Sequence, residues 1–115
     1  MSRYNLILTA PAKADIRQTM RYISEELHNP TAANRLNDNI TAAIQKLGDG
    51  SGGHRLVDDD YLAAKGVRRL IVRNYLVFFI VKEDAQSIYI LRILYGRRDW
   101  AHLLKENFAI DPTNA

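Results

Sequence analysis

The sequence predicts an α+β fold made of one short strand, a helical hairpin, an antiparallel three-strand meander and a short C-terminal helix. Two amphipathic segments in the first half, each with a proline near its start, predict the hairpin. Three runs rich in β-branched and aromatic residues in the second half predict the meander. The 115 residues suffice for one hydrophobic core. We therefore expect a single domain over residues 1–108 and a flexible polar tail over residues 109–115.

The first strand and the first helix are expected to follow one another directly. Residues 4–9 read Tyr-Asn-Leu-Ile-Leu-Thr, which is typical of a short strand. Pro11 favours the first turn of a helix, because the N–H that proline lacks would have no partner there. The apolar residues that follow recur at intervals of three and four and are Ile16, Met20, Ile23 and Leu27. They predict a core-facing helix that ends near His28.

The second helix begins with the same kind of signal. Asn29 is a favourable N-cap, and Pro30 suits the first helical position. The apolar stripe of this helix stops at Gly48, a residue type that commonly ends helices, and consists of Ala33, Leu36, Ile40, Ala43, Ile44 and Leu47. Because almost no loop separates the two helices, we expect them to form a hairpin.

A long loop should separate the hairpin from the sheet, because residues 49–53 read Asp-Gly-Ser-Gly-Gly and regular structure would be unstable there. This loop is expected to extend to Lys65. The three strands that follow are separated by Asn74 and by residues 83–86, connections of turn length that favour antiparallel neighbours. In the last strand apolar residues fall on both faces, which is compatible with partial cover of both. The hairpin should cover one face of the sheet and leave the other free for a partner. Residues 101–105 predict one or two further helical turns.

Basic residues concentrate in the predicted meander. Residues 65–98 contain eight lysines and arginines but two acidic residues, whereas the net charge of the whole chain is +3. Three consecutive aspartates at residues 58–60 precede them, so the charge is polarised along the chain. This distribution favours an anionic partner, either nucleic acid or an acidic protein. The simpler interpretation is that the charges protect solvated edge strands from aggregation.

The composition argues against several kinds of site. The chain has no cysteine, so neither a disulfide nor a zinc–thiolate site can form. His28, His54 and His102 lack the spacing of a metal site on a helix or hairpin, so we expect neither a metal nor a cofactor. No apolar run reaches the roughly 18 residues of a membrane span, and no signal core follows Met1. A cytoplasmic location without a membrane partner is expected.

In their order and spacing, these segments resemble the toxins of the RelE/ParE superfamily, the toxic half of bacterial type II toxin–antitoxin modules. The resemblance covers about residues 3–104. Its most specific part is residues 90–99, Ile-Leu-Arg-Ile-Leu-Tyr-Gly-Arg-Arg-Asp, which is similar to the last strand of the family and its Gly-Arg-Arg ending. The other matching segments are residues 9–12, 15–16, 22–23, 29–33 and 75–79. The resemblance implies a RelE/ParE-like fold, growth arrest and a hetero-oligomer with a cognate antitoxin protein.

The resemblance leaves two activities open. ParE-like members inhibit DNA gyrase by binding it, whereas RelE-like members cleave messenger RNA on the ribosome. Such cleavage needs a general base, cations at the phosphate and a general acid. At two positions where RelE-like nucleases carry polar residues, this chain has Leu76 and Leu104. The resemblance therefore favours the gyrase inhibitor, which needs no catalytic residue.

Each activity has its own candidate residues. The candidates for target binding are Arg92, Arg97, Arg98 and Trp100. Two adjacent arginines after a glycine cannot both point inward, and the arginine fork suits carboxylate and phosphate alike. The single tryptophan either packs in the core or contacts the partner.

The candidates for catalysis, if the chain is a nuclease, are Arg73, Tyr95, Arg98 and His102. In that case the arginines would hold the phosphate, and Tyr95 or His102 would act as the general acid. His54 is a further candidate for the general base. The alternative for Tyr95 is a packing role, since a tyrosine at the end of a core strand most often serves the core.

Overall fold

A computed structural model of the chain describes residues 3–50, 54–96 and 98–110, with the side chains of residues 109 and 110 left out. The elements are β1 (Asn5–Leu8), α1 (Ala10–Arg21), a π-helical segment (Tyr22–Glu26), α2 (Pro30–Gly48), α3 (Asp60–Ala64), β2 (Arg68–Val72), β3 (Tyr75–Lys82), β4 (Ser87–Tyr95) and α4 (Trp100–Ile110). The predicted α+β class, with a strand, a hairpin, a meander and a C-terminal helix, is confirmed.

Both helices of the hairpin begin with a side-chain N-cap; Asn29 was predicted as one, whereas Thr9 was assigned to the first strand. The Thr9 hydroxyl accepts a hydrogen bond from the Ala12 N–H at 3.3 Å at the start of α1. The Asn29 side chain does the same for α2, accepting from the Ala32 N–H at 3.0 Å. Each satisfies one of the backbone donors that have no partner in the first turn of a helix. The hairpin therefore begins and turns where the sequence indicated.

The first helix of the hairpin departs from the prediction in its last turn. The helical stretch ends near His28 as predicted, but its last part, Tyr22–Glu26, is π-helical, so α1 itself ends at Arg21. There the Leu27 N–H donates to the Tyr22 carbonyl at 3.1 Å, which spans five residues instead of four. His28, at φ 51°, then reverses the chain into α2.

The sheet has the order β1-β4-β3-β2. Its last three strands form the antiparallel meander, and β1 lies parallel to β4 at the edge. A bulge interrupts the pairing of β3 with β4, because Phe79 lies opposite Ile90 while Phe78 lies opposite Arg92. The extra residue, Leu91, shifts the alternation of side chains along β4. Both faces of this strand therefore carry apolar residues.

Both faces of the sheet are covered, so the expectation that one would be free for a partner is wrong. The hairpin packs on the face that contains Phe79 and Ile90. On the opposite face, Leu62 of α3 and Leu104 of α4 close a second core over Phe78. The C-terminal helix, predicted to have one or two turns, has 11 residues, and Leu104 within it is fully buried.

The long connection before the sheet contains one ordered turn that the sequence analysis missed. Asp59 is the N-cap of α3, and its carboxylate accepts from the Leu62 N–H at 3.0 Å. The same carboxylate lies 2.9 Å from the Lys105 ammonium, which joins α3 to α4. Residues 51–53 of the expected loop and residues 111–115 of the expected tail lie outside the described residues. Across the described ranges, no helix combines the length and apolarity that crossing a bilayer requires.

Candidate functional site

Three tyrosines and an arginine line a cleft at one end of the sheet. Tyr75 opens β3 and lies directly opposite Tyr95, the last residue of β4. Their rings meet edge to face with centroids 5.5 Å apart. Tyr22, the first residue of the π-helical segment, and Arg98 complete this tyrosine cleft, which has a volume of about 180 Å³. Two residues predicted from the sequence, Tyr95 and Arg98, are thereby brought together.

A second, shallower pocket adjoins the tyrosine cleft. It has a volume of about 250 Å³ and is lined by Ile71, Arg73, Asn74, Leu76, Tyr95 and Gly96. Tyr95 lines both pockets, so Arg73 and Arg98 border the same tyrosine. We call the two pockets together the tyrosine–arginine surface. It contains three of the four candidate catalytic residues.

Local backbone geometry builds this surface. The turn between β2 and β3 consists of Arg73 and Asn74, and Arg73 adopts the left-handed conformation at φ 57°. The Gly96 N–H donates to the Asn74 carbonyl at 2.8 Å, which fixes the turn against the end of β4. A Cβ at position 96 would lie 3.2 Å from that carbonyl oxygen, so glycine permits the close approach. The Arg98 N–H then donates to the Tyr95 carbonyl at 3.0 Å and turns the chain toward α4.

Arg92 was predicted to contact the target, but its guanidinium is held inside the protein. Its Nε and Nη2 donate to the two carboxylate oxygens of Asp15 at 2.8 and 2.9 Å. The hydrogen bond to Asp15 raises the pKa of Arg92 above its usual value. The Arg92 side chain is 14% exposed and that of Asp15 is 6% exposed. We therefore assign Arg92 a structural role in place of target contact.

Trp100 and Arg97 are the remaining candidates for target binding after Arg92 and Arg98, and their outcomes differ. Trp100 stacks on Phe78 with ring centroids 5.2 Å apart and is half-buried. Of the two alternatives that the sequence left open for it, the structure shows core packing on the second face of the sheet. Arg97 lies outside the described residues.

The histidines do not join the tyrosine–arginine surface. His102 lies on α4 with its side chain 71% exposed, and its Nε2 is 3.3 Å from a carboxylate oxygen of Glu106. His54 lines a separate cleft of about 390 Å³ that also includes Arg68 and Glu83. Neither histidine lines either pocket of the surface. The predicted catalytic set is thus divided, with Arg73, Tyr95 and Arg98 together and His102 apart.

The chemistry of the surface suits recognition better than proton transfer. Burial, followed by the neighbouring tyrosines 95 and 22, raises the pKa of Tyr75, so this phenol stays protonated at neutral pH and donates hydrogen bonds. Among the described residues that line the two pockets, the single carboxylate is that of Asp15. It is occupied by Arg92 and by the Ile93 N–H, which donates at 2.9 Å. No group of three or more metal-ligating side chains was found within the described ranges.

Sequence reasoning did not assign Tyr22 and Tyr75 to the site. Tyr22 falls outside the apolar stripe of the first helix, and its side chain is 56% exposed. A large aromatic residue on the solvent side of an amphipathic helix was the available signal. Tyr75 gave a weaker signal, because a tyrosine at the start of a strand is common in any sheet.

Comparisons with known proteins agree with the fold. A family model described as "ParE toxin of type II toxin-antitoxin system, parDE" matches residues 6–100. Among solved structures, the chain is similar to the chromosomal ParDE toxin–antitoxin system from P. aeruginosa, with a TM-score of 0.66 and 25% identity over 81% of this chain and 96% of that chain. It also shares the fold of the toxin–antitoxin complex RelBE2 from Mycobacterium tuberculosis, with a TM-score of 0.57 and 14% identity over 83% and 93% of the two chains. The search of curated proteins gave no match.

Proposed function

The chain belongs to the ParE toxin family of type II toxin–antitoxin systems, and we propose that it arrests growth by binding DNA gyrase and inhibiting it. The observation that carries this proposal is the match of the ParE family model from β1 to the start of α4. ParE-like members of the superfamily act on gyrase by binding. We therefore propose an inhibitor without a hydrolytic reaction of its own.

The tyrosine–arginine surface supports a binding function. Arg73 and Arg98 are exposed beside Tyr95, so their guanidinium groups are available to carboxylates of a partner. The described residues of the surface offer no free carboxylate or imidazole that would accept a proton from a ribose 2′-hydroxyl. A surface rich in hydrogen-bond donors and lacking a general base favours recognition over cleavage.

A ribosome-dependent mRNA endoribonuclease is the second candidate function. One observation favours it, namely that Arg73, Tyr95 and Arg98 line adjoining pockets. Two arginines could hold a phosphate there, and the Tyr95 phenol could donate a proton to a leaving oxygen. The candidate ranks second because the general base that the reaction requires has no counterpart among the described lining residues.

We also propose a cognate antitoxin as the stable partner of this chain. Both similar solved structures are described as toxin–antitoxin assemblies. The net charge of +3 favours association with an acidic partner. In this proposal, the chain forms a hetero-oligomer with the antitoxin in the resting cell and acts on gyrase when the antitoxin is lost.

The test is a pair of assays on the purified protein, one of gyrase-catalysed supercoiling and one of messenger RNA in a translating extract. We expect supercoiling to stop, or cleaved DNA to accumulate, while the messenger RNA stays intact. Relaxation by topoisomerase I on the same DNA is the control, because a basic protein that merely coats DNA would slow both enzymes. Cleaved messenger RNA together with undisturbed gyrase would refute the proposal and establish the second candidate.

A further inference from the structure

We infer that the tyrosine–arginine surface is the docking site for an acidic patch on the protein target of the toxin. The inference rests on the proposed function and adds the residues that hold the target. These residues are Tyr22, Ile71, Arg73, Tyr95 and Arg98. Four of them, Tyr22, Ile71, Arg73 and Tyr95, were not among the candidates for target binding predicted from the sequence.

Large apolar side chains are exposed around this end of the sheet. Tyr22 is 56% exposed, Ile71 62% and Tyr95 37%. Such residues are costly to leave in water when they lie close together, and tyrosine and arginine are the residue types that contribute most to protein interfaces. Aromatic rings also bury a large area while losing little conformational entropy. Their combination with two arginines is typical of the centre of a protein–protein interface.

Two unusual backbone conformations border the same surface. Tyr22 begins the π-helical segment, and π turns are rare and occur frequently at functional sites. Arg73 adopts φ 57°, a conformation that glycine or asparagine would adopt at lower cost than arginine. Backbone outliers of this kind cluster at active and binding sites. Both features place a side chain in the lining of the tyrosine–arginine surface.

Charge indicates what kind of patch would bind. Arg73 and Arg98 border the surface, and the single carboxylate among its described residues is neutralised by Arg92. The surface therefore presents a positive potential around an apolar centre. An acidic patch with its own apolar centre is complementary to it.

The geometry favours a protein over RNA as the occupant. The Tyr75 and Tyr95 rings meet at 71°, so they do not offer parallel faces on which successive bases could stack. Ile71, the most exposed large apolar residue of the described chain, provides no stacking platform. Two described arginines are also few for a positively charged groove that tracks a phosphate backbone over several nucleotides.

The experiment compares two surface variants with two matched controls. Tyr22→Ala removes the exposed ring, and Leu27→Ala is its control because Leu27 is 55% exposed and lines neither pocket. Arg73→Gly removes the arginine and its strain. Gln86→Gly is the control for it, because Gln86 has φ 49° in the turn between β3 and β4. Arg73→Gly should retain the Tm of the parent or exceed it, since glycine adopts a positive φ without strain. Gln86→Gly also loses the hydrogen bond that the Gln86 side chain donates to the Glu83 carbonyl at 2.7 Å, so its Tm should lie close to or slightly below that of the parent.

Three measurements are made on every variant: the concentration that half-inhibits gyrase holoenzyme, growth arrest on induction, and binding of a single-stranded RNA 12-mer. We expect Tyr22→Ala and Arg73→Gly each to raise the half-inhibitory concentration by about tenfold or more and to weaken growth arrest, as removal of an interface hot spot does. The two controls should behave like the parent. Parent-like inhibition and growth arrest by both surface variants would overturn the inference.

The remaining outcomes separate this inference from the proposed function. If the parent leaves gyrase untouched, the proposed function fails. If the two surface variants lose growth arrest while the two controls keep it, and the parent does not bind the RNA 12-mer, docking to a protein is still supported. If instead the parent binds the RNA 12-mer and both surface variants lose that binding, the occupant is nucleic acid and the inference is overturned.

Discussion

Arg92 of β4 and Asp15 of α1 form a two-point ion pair at 2.8 and 2.9 Å, with both side chains largely buried. The pair connects the hairpin to the sheet, and Asn107 extends it to α4 through a contact of 3.5 Å with the Arg92 guanidinium. The Asn107 side chain also donates to the Leu91 carbonyl at 3.2 Å. One arginine thus links the helices that cover the two faces of the sheet.

Replacement of Asp15 with asparagine should destabilise the fold strongly. Asp15→Asn leaves the Arg92 guanidinium largely buried without a counterion, and removal of one partner from a buried ion pair typically costs about 3–5 kcal/mol. We expect the free energy of unfolding in urea to fall by about 3 kcal/mol at neutral pH. Asp38→Asn is the control, because Asp38 is exposed on α2. A stability equal to that of the parent would show that the ion pair does not hold the hairpin.

The ion pair also illustrates how far the sequence could predict the site. The strands, the hairpin and the Asn29 cap follow from local patterns, and these predictions are confirmed. Whether Arg92 points to solvent depends on Asp15, a residue 77 positions away, and no local pattern connects the two. Arg98 and Tyr95 could be assigned to one site because they lie three residues apart. Tyr22 could not, because only the fold brings the π-helical segment to the end of β4.

Replacement of Arg98 should abolish growth arrest without changing the fold. Its side chain is exposed and lines the tyrosine cleft, so Arg98→Ala removes a guanidinium that no described residue needs for stability. We expect a far-UV circular dichroism spectrum and a Tm close to those of the parent. Growth curves after induction measure toxicity, with Arg35→Ala on the exposed side of α2 as the control. Undiminished growth arrest by Arg98→Ala would show that Arg98 does not take part in target binding.

The contact between Asp59 and Lys105 should make the packing of α3 against α4 sensitive to acid. The hydrogen bond from Lys105, followed by that from the Leu62 N–H, lowers the pKa of Asp59 from its usual value of 3.8. A carboxylate with a lowered pKa in the folded state contributes stability above the unfolded value of 3.8, and this contribution disappears as the pH falls through the folded value.

Asp59→Asn isolates this charge effect, because asparagine is still a good N-cap but cannot pair with Lys105 as an ion. We expect the variant to have a lower Tm than the parent at neutral pH. The difference should shrink as the pH falls below 3.8 and should disappear once the pH is below the lowered pKa of Asp59 in the folded protein. Asp59→Ala, which loses the cap as well, should have a lower Tm than Asp59→Asn throughout. A constant difference between the parent and Asp59→Asn at all pH values would contradict the assigned ion pair.

Leu76 and Leu104 were interpreted from the sequence as missing polar groups of a nuclease, and the structure gives them another role. Leu76 is 8% exposed and Leu104 is fully buried, and both belong to the core between the sheet and α4. A polar side chain at position 104 would have to be accommodated in an apolar interior, whereas Leu76 also lines the shallower pocket of the tyrosine–arginine surface. The two leucines therefore serve the packing of α4.

Leu104→Tyr should accordingly destabilise the protein and should not create RNA cleavage. The larger ring overfills a packed site and leaves a buried hydroxyl, and overpacking alone typically costs about 1–3 kcal/mol. His102→Tyr is the control, because that position on α4 is 71% exposed and should tolerate the ring. Urea unfolding and RNA cleavage in a translating extract are the measurements. The packing role would be contradicted by a Leu104→Tyr variant that keeps parental stability and gains RNA cleavage. The added phenol would then have reached the RNA, which would show that α4 covers a nuclease site.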